Sequence, residues 1–162
     1  MNALFIGPNK SGKSRLALEY TLKIAQTKPY FIATGIAVDE EMKKKIELHK
    51  KERKNSFITI EEPLFIYEKL QSIKEYKLLD CLSFWVSNML LSNKENEIEN
   101  TAHNISEIQN CVFVINEVGA CVIPDNELAR KFAHYNGIVA QIIAKKCDEV
   151  FLCSAGISIK IK

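Results

Sequence analysis

Residues Gly7–Ser14 read GPNKSGKS, directly after the apolar run Ala3-Leu4-Phe5-Ile6 and directly before an amphipathic stretch. G-x-x-x-x-G-K-[ST] in a strand–loop–helix setting is the pattern of a phosphate-binding loop. The eight residues Gly7, Pro8, Asn9, Lys10, Ser11, Gly12, Lys13 and Ser14 are therefore the first candidate nucleotide contacts. Glycines let backbone N–H groups turn inward around phosphate oxygens. Lys13 brings a cation to the β and γ phosphates, and Ser14 offers a hydroxyl to Mg²⁺. The start of the helix behind the loop adds a partial positive charge. Pro8 removes one N–H from this cradle.

Working outward, 162 residues with 47% hydrophobic content are enough for one domain with a real core. A net charge of +2 gives no electrostatic argument for nucleic acid or a membrane surface. No apolar run approaches the roughly 18 residues of a membrane span. The opening MNALFIGPNK lacks the basic and apolar regions of a signal peptide. Cys81, Cys111, Cys121, Cys147 and Cys153 are odd in number, widely spaced and without C-x-x-C. Buried free thiols in a reducing cytoplasm are the expected outcome. Three scattered histidines give no zinc-ligand spacing.

Apolar runs alternate with amphipathic ones, which predicts an α/β fold with a mainly parallel central sheet flanked by helices. Strands are expected at Ala3–Ile6, Tyr30–Ala33, Phe57–Ile60, Lys77–Leu79, Cys111–Ile115 and Glu149–Cys153, with Ile157–Ile161 as an edge strand. Helices are expected at Lys13–Thr27, Glu40–Arg53, Pro63–Ile73 and Glu127–Lys146, and a shorter one at Phe84–Leu91. Ser92–Asn104, rich in Asn, Glu and Ser, reads as a solvated loop or an exposed helix end.

The helix expected at Glu40–Arg53 has Asp39 as a plausible N-cap and two acids at its positive start. At about 100° per residue, Met42, Ile46, His49 and Arg53 share one stripe. That stripe begins apolar and ends in an imidazole and a guanidinium. A solvated helix end with an incidental histidine fits the pattern as well. Asp80 follows Leu78-Leu79, where an apolar strand delivers a carboxylate to its end. Asn116-Glu117-Val118-Gly119 ends another such run. Glu117 is either a site carboxylate or a partner for local backbone N–H groups. Arg130 suits a phosphate contact or a pair with an acid such as Glu127. Trp85 reads as packing.

Beyond GPNKSGKS, the strings YFIATG (30–35), DEEMKKKIELHKKER (39–53), TIEEP (59–63), DCLSFWVSNML (80–90), NEVGACVIPDNELARKF (116–132) and CDEVFLCSAGISIKIK (147–162) occur in this order. Together they resemble the bifunctional adenosylcobinamide kinase / adenosylcobinamide-phosphate guanylyltransferase family of cobalamin biosynthesis, over nearly the whole chain. The resemblance implies a RecA-like P-loop NTPase fold in a single domain, residues 1–162. It also implies two reactions. ATP or GTP phosphorylates adenosylcobinamide, and GTP with Mg²⁺ then gives GMP to adenosylcobinamide phosphate through a guanylyl-histidine. His49 matches the nucleophile, and Lys13 is the other catalytic candidate. The GTP contacts of the family fall on the phosphate loop, on Ala33, Thr34 and Gly35, on Lys50, Lys51, Glu52 and Arg53, on Glu61 and on Asp80. Ser14 and Asp80 would face the metal. The resemblance further implies a cytoplasmic homo-oligomer, with a trimer favoured.

The residue types suit that chemistry. A histidine nucleophile must be neutral, and its unperturbed pKa of about 6.5 leaves it so near neutrality. Nearby Lys50, Lys51 and Arg53 disfavour the imidazolium further and offset charge growing on phosphoryl oxygens. The chain departs from the family pattern at Pro8, at Asp80 in place of the usual Glu, at Ala133-His134 in place of Arg-Asp, and at Ala140 in place of Asn. The segment between Leu91 and Cys111 is short. Two other readings accommodate the loop: a different P-loop kinase of a small hydroxyl substrate, and a degenerate nucleotide-binding subunit without catalysis.

Overall fold

The computed structural model describes residues 1–36, 55–120 and 123–162. Seven strands form one sheet: β1 (Ala3–Gly7), β2 (Tyr30–Ala33), β3 (Ile58–Glu61), β4 (Lys77–Asp80), β5 (Cys111–Asn116), β6 (Glu149–Ser154) and β7 (Ile157–Lys160). Their order is β3-β2-β4-β5-β1-β6-β7. Every neighbouring pair is parallel except β6–β7, a terminal antiparallel hairpin. The helices among the described residues are α1 (Lys13–Ile24), α2 (Ile66–Gln71), α3 (Leu82–Leu91), α4 (Ile98–Ser106) and α5 (Glu127–Lys146).

Period-two alternation explains the layers. Leu4, Leu79, Phe113, Ile115 and Val150 face one side of the sheet, where they meet apolar residues of α2, α3, α4 and α5. Ala3, Phe5, Leu78, Val112 and Val114 face the other, against Ala17 and its neighbours on α1. The central β5 is buried from Cys111 to Ile115, as a parallel strand covered on both faces must be. Trp85 is core: fully buried, its Nε1 donates to the Leu64 carbonyl at 3.0 Å.

The α/β expectation holds, and so do most elements. Several bounds move. α1 stops at Ile24 rather than Thr27, because Ala25 is already extended and Pro29 follows soon after. α2 is shorter than Pro63–Ile73: Glu62 Oε1 accepts from the N–H groups of Leu64 and Phe65, holding a turn where helix was expected. Residues 92–104 are not a solvated loop. A 3₁₀ turn at Glu95–Glu97 leads into α4, whose Ile98, Ala102 and Ile105 are fully buried. The helix expected at Glu40–Arg53 lies outside the described residues, as does Cys121.

Cys81, Cys111, Cys147 and Cys153 are free and buried. Burial pushes the thiols of Cys81, Cys111 and Cys147 up to about 12. A thiol in the unfolded chain ionises near 8.5. Folded-state values above the unfolded ones give stability that is complete below the unfolded pKa and is lost as pH rises through the folded one. Stability is therefore expected to fall between about pH 9 and 12, by up to about 1.4 kcal/mol per pH unit for each thiol. Urea unfolding at pH 7.5 and pH 10.5 measures the loss. Cys111→Ala should reduce the difference between the two pH values.

Candidate functional site

All the candidate residues that the structure describes lie along the carboxyl ends of the parallel strands, the edge where open α/β sheets bind ligands. The phosphate loop leaves β1 at Gly7. A Cβ on Gly7 would stand 2.3 Å from the Cys153 carbonyl oxygen and 2.8 Å from Ser11 Oγ, so only glycine fits. Gly12 has φ +87°, and a Cβ there would meet Gly156 Cα at 3.0 Å. The loop closes with Ser11 N–H donating to the Pro8 carbonyl at 3.2 Å. Lys10 takes a positive φ of 57°. Lys13 is buried, and its Nζ donates to the Pro8 carbonyl at 3.2 Å. Ser11 Oγ is buried with no hydrogen-bond partner among the described residues. The proline that removes a donor thus contributes an acceptor that holds the lysine.

The β6–β7 turn buttresses the loop. Gly156 N–H donates to the Ser11 carbonyl at 2.9 Å, and Arg15 Nη2 donates to the Gly156 carbonyl at 3.2 Å. Sequence reasoning matched the SAGI string but gave Gly156 no role. The signal was present, a small-residue turn between two alternating strands, but nothing in the string names its partner 145 residues away. Gly7→Ala is expected to cost about 2 kcal/mol or more, because backbone rather than a movable side chain blocks the added methyl. Denaturant unfolding reads that loss, and nucleotide titration should show weakened binding in the same variant.

Across the edge, Ala33 is in register with Glu61 on one side and Asp80 on the other. β5 separates β1 from β4, so Asp80 stands about 10 Å across the sheet from the loop strand, and Ala33 about 14 Å, at ~4.8 Å per strand. Thr34 is locked from both ends. Its Oγ1 donates to the Cys81 carbonyl at 2.7 Å and accepts from the Cys81 N–H at 3.0 Å. Its own carbonyl accepts from Asn88 Nδ2 at 2.8 Å. The Glu62 N–H donates to the Ala33 carbonyl at 2.9 Å, tying the turn after β2 to the corner after β3. Ser14 in the first turn of α1 and Asp80 at the end of β4 supply hard oxygen donors, the kind Mg²⁺ takes together with substrate phosphates. Cys81, beside Asp80, is no nucleophile: burial, and then the Asp80 charge, hold its thiol up to about 12 against the pull of Lys13.

Two further candidates have local backbone partners. Glu117 Oε1 accepts from the Gly119 N–H at 2.6 Å, the local backbone role. Arg130 Nη1 donates to the carbonyls of Pro124 and Asp125. His49, Lys50, Lys51, Glu52 and Arg53 lie outside the described residues.

Residues 3–161 match the family model described as "Cobinamide kinase / cobinamide phosphate guanyltransferase". The chain is also 33% identical over 170 residues to the "Bifunctional adenosylcobalamin biosynthesis protein CobP" of Pseudomonas aeruginosa, with 100% of this chain and 98% of that protein covered. A phosphate loop after β1, carboxylates at the ends of β3 and β4 on the same strand edge and a match across almost every residue agree. This chain belongs to the cobinamide kinase / cobinamide phosphate guanyltransferase family, enzymes of cobalamin biosynthesis with both kinase and nucleotidyltransferase activity.

Proposed function

We propose that the chain carries out both steps on the adenosylated substrate. A nucleoside triphosphate, ATP or GTP, phosphorylates the hydroxyl of adenosylcobinamide. GTP then donates GMP to adenosylcobinamide phosphate through a covalent guanylyl-His49. The neutral imidazole attacks the α-phosphorus and pyrophosphate leaves with the bond electrons. The acceptor phosphate next displaces histidine and takes the GMP, and the imidazole is returned neutral. This divides one displacement between two anionic partners into two easier steps.

Lys13 binds and neutralises the terminal phosphates, and the N–H groups of Gly12, Lys13 and Ser14 hold them at the start of α1. Ser14 and Asp80 would hold Mg²⁺, which when bound offsets phosphate charge and steadies the leaving pyrophosphate. Ala33, Thr34, Gly35 and Glu61 receive the nucleoside end, and Lys50, Lys51, Glu52 and Arg53 are the remaining proposed GTP contacts. The observation that carries this reading is the placement of Gly7–Ser14 and the Ala33–Glu61–Asp80 row on one strand edge, separated by about the length of an extended nucleotide. The proposed setting is a cytoplasmic homo-oligomer, a trimer, whose neighbouring copies would complete the corrinoid pocket.

The test supplies purified protein with adenosylcobinamide, or separately with its phosphate, together with ATP or GTP. The expected products are the phosphate with either donor and the GDP derivative with GTP alone. Failure to convert the phosphate with GTP contradicts the reading.

A further inference from the structure

α3 is apolar along most of its length, LSFWVSNMLL, yet Asn88 is buried within it. A buried carboxamide is costly unless its protons find acceptors. Asn88 Nδ2 meets two: the Thr34 carbonyl at 2.8 Å and the Pro63 carbonyl at 3.0 Å. One amino group therefore holds the turn after β2 and the corner after β3 together. Other bonds of α3 act in the same direction. Trp85, one turn earlier, donates to the Leu64 carbonyl, and the N-cap residue Cys81 grips the Thr34 hydroxyl from both its N–H and its carbonyl.

We infer that Asn88 is a positioning residue for the nucleoside end of the nucleotide, fixing the Ala33–Gly35 turn and the Glu61–Pro63 corner as one rigid unit. The inference rests on the proposed reading of Ala33–Gly35 and Glu61 as nucleotide contacts. The job requires two donors on one short side chain. Aspartate of the same shape presents acceptors to two carbonyls, and leucine presents nothing. The phosphate loop lies three strands away on β1, and neither of these two bonds reaches it.

The experiment titrates wild-type protein, Asn88→Leu and Glu61→Gln with GMP and, separately, with inorganic tripolyphosphate. Urea unfolding of each variant checks the fold, and the near-isosteric Asn88→Asp replaces Asn88→Leu if leucine prevents folding. The expected result is GMP affinity weakened about tenfold, tripolyphosphate affinity within about twofold of wild type, and KM for GTP raised more than kcat is lowered. Equal losses for both ligands would mark Asn88 as structural only and overturn the inference. Unchanged GMP affinity in the Asn88 variant, with loss in Glu61→Gln, overturns it while leaving the contact reading intact. Unchanged GMP affinity in both variants overturns the contact reading and the inference with it.

Discussion

His49→Ala is expected to remove GMP transfer to adenosylcobinamide phosphate, by at least about 10³-fold, while phosphorylation of adenosylcobinamide stays within a few-fold of wild type. The proposed route loses its only nucleophile in this variant, because the cations at Lys50, Lys51 and Arg53 assist phosphoryl transfer but form no bond to phosphorus. The two reactions separate cleanly only if the kinase step uses the phosphate loop without the histidine. Transfer that persists in His49→Ala shows that GMP passes directly from GTP to the acceptor, or through another side chain. Cys81 is a poor substitute, since burial keeps its thiol protonated at the pH of the assay. Parallel assays of the two half-reactions on one preparation check both outcomes and exclude misfolding as the cause.

Lys13→Ala is expected to abolish the kinase step, lowering kcat/KM by about 10²–10³-fold or more, with GMP transfer also impaired. The ammonium is already pre-placed: buried, one hydrogen bond from the Pro8 carbonyl and within a loop fixed by Gly7 and Gly12. Removing it takes away charge stabilisation that solvent reaches poorly. Stability should change little, because Pro8 keeps the Ser11 N–H as a partner. Lys13→Arg should not restore activity, since a wider planar fork replaces a compact point charge in a closed loop. Kinase turnover at wild-type level in Lys13→Ala would remove the phosphate loop from the mechanism.

The parts of this protein that its sequence discloses are those governed by local rules. β1, the phosphate loop and α1 follow from an apolar run, two glycines with steric duties and an amphipathic helix. β5 is an uninterrupted apolar string because both its faces are covered. α5 is expected and observed over the same twenty residues, helped by Asn126, whose Oδ1 accepts from the Ala129 N–H as an N-cap. α4 is the instructive case. Its buried Ile98, Ala102 and Ile105 have helical spacing, but Glu99, Asn100, Thr101, His103 and Asn104 between them dominate the composition and suggest solvent. Period carries more information than polarity there.

What the sequence conceals is tertiary. Lys77, a charged residue at the start of a strand, is fully buried, its Nζ donating to the carbonyls of Ile73 and Glu75, and burial lowers its pKa. Asn88 reads as an ordinary helix residue because its acceptors are 54 and 25 residues away. Gly156 supports Ser11 across almost the full chain. Glu117, a carboxylate at a strand end, has a local partner that its string does not name: its Oε1 accepts from the Gly119 N–H. Candidate residues are legible when a motif defines them, whereas the residues that hold them in place become visible only with the fold.

The most direct measurement uses GTP labelled on the α-phosphate and, in a parallel sample, on the γ-phosphate, each incubated with the pure protein and quenched. The account predicts protein-bound label from the α position alone, labile to acid, stable to base and absent from His49→Ala. No α label on the wild-type protein, or undiminished label on the variant, would contradict the covalent relay through His49.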